Sequence, residues 1–266
     1  MDEYIALAKI CGSYNVDFTS SIWDSSVFKW IDKYMAFYKI GSGDLTAYPL
    51  LKEIAILGKP IVLSTGLSTF DEVKESIEFI QKINSIYKSS KNLAVLQCTS
   101  MYPIKIGDAN LKVVNKYKKE FGLSIGYSDH TECDKAVKQA ISMGVDVIEF
   151  HFTDSREGKK FRDHKVSFTK DEVKSLVEYA KQVDLINGSE NKKPLKSEID
   201  SGHTISFRRA VYPLKKIKKG ETLSKDNLIV LRPNHGIDAR NFFDILGKKA
   251  KRDLSEFEKF EWDDIE

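Results

Sequence analysis

The sequence predicts an α/β fold of parallel strands closed as a barrel, followed by a small β-rich domain. Three observations carry this. Up to about residue 186, short apolar runs alternate with amphipathic runs of helical period. Nearly every apolar run ends in a small cluster of polar side chains. Beyond residue 203 the alternation gives way to short strands and turns with little helix.

The strand candidates, in order, are 16–20, 37–42, 60–65, 93–99, 123–128 and 146–152. Each is nearly continuously apolar, as parallel strands covered on both faces must be. Between them lie helices with readable starts. Thr69 with Glu72, and Thr169 with Glu172, fit capping boxes that precede apolar residues at helical spacing. Gly58 and Gly144 stand where a helix has to stop before the next strand. Such repeated strand–helix units make a parallel sheet, either a barrel or a doubly wound sheet.

The polar clusters favour the barrel. They are Thr19 to Ser21, Lys39 with Ser42 and Asp44, Ser64 to Gly66, Gln97 to Ser100, Ser128 to His130, and Glu149 to His151. A doubly wound sheet concentrates such groups at one or two switch points. A barrel draws on every strand for one site at its C-terminal face.

Residues 1–186 form the expected barrel domain, 187–203 a polar linker and 204–266 the small domain. With 42 basic against 39 acidic residues the net charge is only +3, which gives no reason to expect a nucleic-acid or membrane partner. The run from Lys215 to Lys219 reads either as a solvated turn or as a phosphate-binding patch. Three scattered cysteines make neither a disulfide framework nor a cysteine zinc site. No apolar run is long enough for a membrane span and no signal peptide opens the chain, so the expected location is the cytoplasm.

His130 and His151 end consecutive strands, so both can point into one cavity at the site mouth. Two imidazoles there suit a divalent metal. Lys39, inside an apolar run, has to face a polar cavity or pair with an anion. Ser42, Ser64, Ser100 and Ser128 are either anion-binding hydroxyls or satisfied turn hydroxyls.

The ordered set of motifs resembles the sialic acid synthase family. The matching stretches are Tyr38 to Asp44, Gly58 to Pro60 with Leu63 to Gly66, Gln97 to Pro103, Gly126 to Thr131, Glu149 to Thr153, and Asp163 with His164. The small domain resembles that family's antifreeze-like (SAF) domain through Arg208 and Arg209, Ile217 to Glu221, and Arg232 with Pro233. The resemblance implies a (β/α)8 barrel lacking its first two strands, followed by a β-clip domain.

It also implies a transferase that condenses phosphoenolpyruvate with an N-acetylated amino sugar of the N-acetylmannosamine type. The products are a nine-carbon 2-keto sugar acid and phosphate. His130, His151 and Asp44 become the catalytic set, and manganese or magnesium the metal on the two histidines. Lys39, Ser42, Ser64, Ser100, Tyr102 and Ser128 become substrate ligands. Arg209 or Arg208 either reaches the sugar site of a neighbouring copy in a domain-swapped homodimer or is a solvated charge. The chain departs from the family at Gln97, where a histidine is usual, and at Phe150, where a lysine is usual. The family's first two strands, with a glutamate and a lysine, have no counterpart, so the chain alone is expected to be inactive or nearly so. Two other readings stay open: a legionaminic- or pseudaminic-type acid synthase, and a non-catalytic or split-enzyme fragment that needs a partner.

Overall fold

Five parallel strands run side by side in sequence order: β1 (Tyr38–Ile40), β2 (Ile61–Ser64), β3 (Leu93–Cys98), β4 (Ser124–Ser128) and β5 (Val147–Glu149). The computed structural model describes residues 1–266 and divides into two compact units, Met1–Gly188 and Ser189–Glu266. In the first unit α1 (Asp2–Ser13) and α2 (Phe28–Ile31) precede the sheet, and α3 (Tyr48–Leu57), α4 (Phe70–Ile83), α5 (Lys112–Glu120) and α6 (Lys135–Ser142) connect its strands. A second, two-stranded parallel sheet pairs β6 (His151–Phe152) with β7 (Ser167–Phe168), with α7 (Asp163–Val166) between them and α8 (Lys170–Asn187) after them. This is a parallel half-barrel, with β1 and β5 at the edges of the larger sheet.

Register explains why the sheet holds. Ile61 pairs with Leu93, and Leu63 with Val95, which in turn pairs with Ile125. All six residues of the central β3 are buried. The sheet and its helices enclose one core containing Ile40, Leu51, Ile54, Leu63, Ile77, Val95 and Ile125. Each such aliphatic side chain contributes about 1.5–3 kcal/mol on burial. A satellite core joins Tyr127, Val137, Ala140, Phe168 and Leu176, fixing α6 and α8 beside β4 and β7. Thr69 caps α4 reciprocally with Glu72, and Glu172 reaches back to the Thr169 amide at the start of α8. Gly58, at φ 74°, ends α3 in the left-handed conformation that a side chain would disfavour.

Two expected strands are corrected. Segment 16–20 forms no strand: it lies beside β1 but makes no bridge to it, and the isolated Ser21–Lys39 bridge falls just after it. Its remaining contacts are Ala36 N to Phe18 O and Thr19 Oγ1 to Phe37 O, too few for a ladder. The run 146–152 is two strands, because at Phe150 the chain leaves the larger sheet and the Phe150 ring packs edge-on against Phe168. Continuous apolar character could not reveal that break.

The second unit contains α9 (Lys196–Asp200) and α10 (His203–Ser206), two short helices in and beside the segment expected to be linker. An antiparallel pair follows, β8 (Ala210–Pro213) with β9 (Leu228–Leu231). Single bridges such as Ile217–Leu254 and Ala250–Ile265 close this unit around Val211, Leu223, Ile245, Leu254 and Phe260. No helix in the chain is long and apolar enough to cross a membrane.

Candidate active site

The strand ends of the half-barrel converge on one cavity of about 540 Å3. Of the expected site residues, Lys39, Ser42, Asp44, Ser64, Ser100, Tyr102, Ser128, His130 and His151 all line it. Arg209 does not: it belongs to the second unit, where its Nη1 donates to Val230 O at 2.8 Å.

Lys39 sits on β1 with its side chain 13% exposed. Its ammonium donates to Ser64 Oγ at 2.8 Å and to Ile40 O at 3.1 Å, and lies 3.4 Å from Glu149 Oε1. Ser64 in turn donates to Glu149 Oε2 at 3.2 Å. The anion that a lysine in an apolar run requires is therefore Glu149, from the opposite edge of the sheet. Burial pushes the Asp44 carboxyl above the usual carboxylate range, and the Lys39 charge opposes that.

Gly66 permits a close approach of hydroxyls. A Cβ there would meet Ser100 Oγ at 2.5 Å and Ser42 Oγ at 2.9 Å, and its own amide donates to Ser42 Oγ at 2.9 Å. Serine hydroxyls from two loops can gather here only because residue 66 has no side chain.

The two histidine rings stand 5.2 Å apart, centroid to centroid. His130 is not at the mouth, where the sequence places it; only 4% is exposed. The residue follows β4 by two positions and packs against Tyr102, whose ring centroid is 4.1 Å from its own. His130 Nδ1 lies 2.8 Å from Thr99 O and 3.8 Å from Cys98 Sγ. Burial pulls the His130 pKa down, but Cys98 and the Thr99 carbonyl together outweigh it and hold the group above its ordinary value. His151 is held below its ordinary value, by burial first and by its neighbour His130 second. Its Nδ1 lies 3.7 Å from Asp163 Oδ2, while buried Asp163 Oδ1 has no hydrogen-bond partner.

These residues fit a divalent metal in part. His130 Nδ1 has a protein oxygen within hydrogen-bond distance, the kind of second partner that orients a metal-binding imidazole, whereas His151 Nδ1 stands 3.7 Å from its carboxylate, beyond hydrogen-bond reach. No group of three or more His, Cys, Asp or Glu residues is arranged to hold a metal ion.

Trp23, Cys98, Glu149 and Phe150 also line the cavity, although none figures among the expected ligands. Glu149 was accessible from sequence through the unpaired lysine. Trp23 was not, because it follows a segment that reads as an ordinary strand.

Comparison with known proteins agrees with this architecture. Residues 1–192 match the NeuB family and residues 208–266 match the SAF domain. The chain is 35% identical over 257 residues to the N,N'-diacetyllegionaminic acid synthase of Campylobacter jejuni, covering 96% of this chain and 74% of that protein. It is 31% identical over 252 residues to the N-acetylneuraminate-9-phosphate synthase of Mus musculus, covering 94% of this chain and 68% of that protein. The crystal structure of the N-acetylneuraminic acid synthetase from Leptospira borgpetersenii, in complex with citrate, superposes with a TM-score of 0.69 at 26% identity. That match covers 76% of this chain and 69% of the other. With its half-barrel and its C-terminal SAF domain, the chain belongs to the NeuB family.

Proposed function

We propose that this chain is a transferase that condenses phosphoenolpyruvate with an N-acetylated amino sugar to give a nine-carbon 2-keto sugar acid and phosphate. The observation that carries the reading is the convergence of Lys39, Ser64, Ser128, His130 and His151 on one cavity in a member of the NeuB family. In the same reading residues 1–186 are the catalytic part, and 204–266 the antifreeze-like domain joined to it by 187–203.

Lys39 and the hydroxyls of Ser42, Ser64, Ser100 and Ser128 hold the phosphate and carboxylate of phosphoenolpyruvate with charge-assisted hydrogen bonds. Asp44 and Tyr102 position the sugar. His130 and His151 would hold a manganese or magnesium ion, which when bound polarises the sugar aldehyde as a Lewis acid. The enol carbon bonds to the aldehyde carbon, water adds to the electron-poor carbon that bears the phosphate ester, and the C–O bond to phosphate breaks. Burial, with His130 beside it, holds the His151 pKa below its ordinary value, which favours the neutral imidazole that a metal ligand has to be.

The relatives include synthases of both kinds, so the acceptor is N-acetylmannosamine or the amino sugar that leads to a legionaminic-type acid. The test is phosphate release from phosphoenolpyruvate with each acceptor, by the chain alone and with an added segment that supplies two strands. Condensation in either arm supports the reading. Manganese binding measured by calorimetry should be lost in both His130→Ala and His151→Ala. Failure to bind phosphoenolpyruvate in either arm, with manganese present, would overturn the reading.

A further inference from the structure

Trp23 is held in place but left uncovered. On one side Ile22 is buried at 5% exposure, next to the Ser21–Lys39 bridge. On the other the Asp24 carboxylate accepts from Ser26 N at 2.9 Å and caps the 3-10 turn Ser25–Val27. The backbone is thus fixed on both flanks, yet the indole is 83% exposed while lining the polar cavity. A single exposed apolar side chain is ordinary on an open surface, but this indole lines the polar cavity, where a ligand that enters can cover it.

The other aromatic residues of the lining are already engaged. Tyr102 carries the His130 ring at 4.1 Å and the Arg162 guanidinium at 4.9 Å. Phe150 packs edge-on against Phe168 at 5.3 Å. Trp23 alone of the three offers an open ring face. That face is the negative pole of the ring quadrupole, which attracts polarised C–H groups and repels anions. Of the two proposed substrates, the doubly anionic phosphoenolpyruvate gains nothing there. An amino sugar, with hydroxyls on its edges and C–H groups on its faces, does.

We infer that Trp23 is the stacking platform for the carbon face of the acceptor sugar and a determinant of acceptor specificity. This rests on the proposed condensation. The platform acts on the sugar alone and leaves phosphoenolpyruvate to Lys39 and the serines.

The test is equilibrium binding by calorimetry with the full chain in manganese buffer, titrated separately with N-acetylmannosamine and with phosphoenolpyruvate. Trp23→Ala should weaken the sugar about tenfold, equivalent to about 1.4 kcal/mol, and leave phosphoenolpyruvate within about twofold. Trp23→Phe should fall between, and sugar-dependent quenching of indole fluorescence should vanish in Trp23→Ala. Because the side chain is exposed, the variant should unfold at the wild-type urea midpoint. Wild-type sugar affinity in Trp23→Ala, with phosphoenolpyruvate still bound, overturns the platform and spares the condensation. Loss of self-association with unchanged sugar affinity assigns Trp23 to an interface and also overturns it. A wild-type chain that binds neither substrate sinks both readings.

Discussion

Replacing Lys39 by Met removes one charge and keeps most of the stem, so it separates binding from folding. Three contacts disappear: to Ser64 Oγ at 2.8 Å, to Ile40 O at 3.1 Å and to Glu149 Oε1 at 3.4 Å. A fully buried Glu149 left unpaired would cost about 3–5 kcal/mol. Its side chain is 36% exposed, however, so it can turn toward water and still accept from Ser64. The stability loss is then that of one or two ordinary hydrogen bonds, about 1–2 kcal/mol. The loss to an anionic ligand is larger. A charge-assisted hydrogen bond contributes about 1.5–3 kcal/mol, or roughly 10- to 150-fold in affinity. Calorimetry with phosphoenolpyruvate, and separately with inorganic phosphate, reads the second quantity; urea unfolding reads the first. Lys39→Met that binds phosphoenolpyruvate within about twofold of wild type, while losing stability, would make Lys39 a strut for Glu149 and refute its assignment as an anion ligand.

Gly126→Ala tests the centre of the sheet. A Cβ there would run into Leu96 Cδ2 and the backbone oxygen of Val147, and backbone cannot yield cheaply. Its urea midpoint should fall by the equivalent of about 1–3 kcal/mol or more, and an unchanged midpoint would show that β4 and β5 are not packed this closely. Asp238 tests acid stability in the second unit. Its carboxylate accepts from the side chain and backbone amide of Arg240 and from Asn234 Nδ2, all at 2.9 Å, which holds the carboxyl far below the usual carboxylate range. A depressed folded-state pKa gives stability that is full above the unfolded value of about 3.9 and is lost as pH falls toward the folded value. Thermal melts of the full chain should therefore drop between pH 5 and pH 2 by less in Asp238→Asn than in wild type, with equal drops removing Asp238 from the acid response.

Strand cores and helix caps were legible because each is local. Continuous apolar runs such as Leu93–Cys98, and the Thr69–Glu72 and Thr169–Glu172 pairs, announce themselves within a few residues. The cavity was legible because parallel strands in one order bring their C-terminal ends together, so nine of the ten expected ligands meet without any knowledge of side-chain direction. The misses are non-local. Segment 16–20 has strand composition but makes no bridge to β1, the one bridge there being at Ser21 just beyond it, and composition carries no information about a neighbour. Phe150 looks like the middle of a strand until the Phe168 ring, eighteen residues on, gives it somewhere else to pack. His130 reads as a mouth residue because it follows a strand, but the Tyr102 ring, Cys98 and Thr99, all from the end of the preceding strand and its loop, pack against it.

Charge ties the cavity to its proposed chemistry. Among its lining residues a single lysine, Lys39, faces two carboxyl groups, Asp44 and Glu149. Phosphoenolpyruvate brings a phosphate and a carboxylate, so the protein alone offers a poor host for it. Burial moderates the mismatch by favouring the neutral form of Asp44, yet it adds no positive charge. In the proposed chemistry the two imidazoles would resolve the conflict. They contribute no net charge when neutral, and a divalent cation on them would turn the cavity from net negative to net positive. On that proposal the pair that holds the cation for the acceptor aldehyde would also make the pocket receptive to the donor. It follows that Lys39 matters most where the cation is missing: without it, Lys39 is the one lysine or arginine of the lining that an incoming phosphate meets.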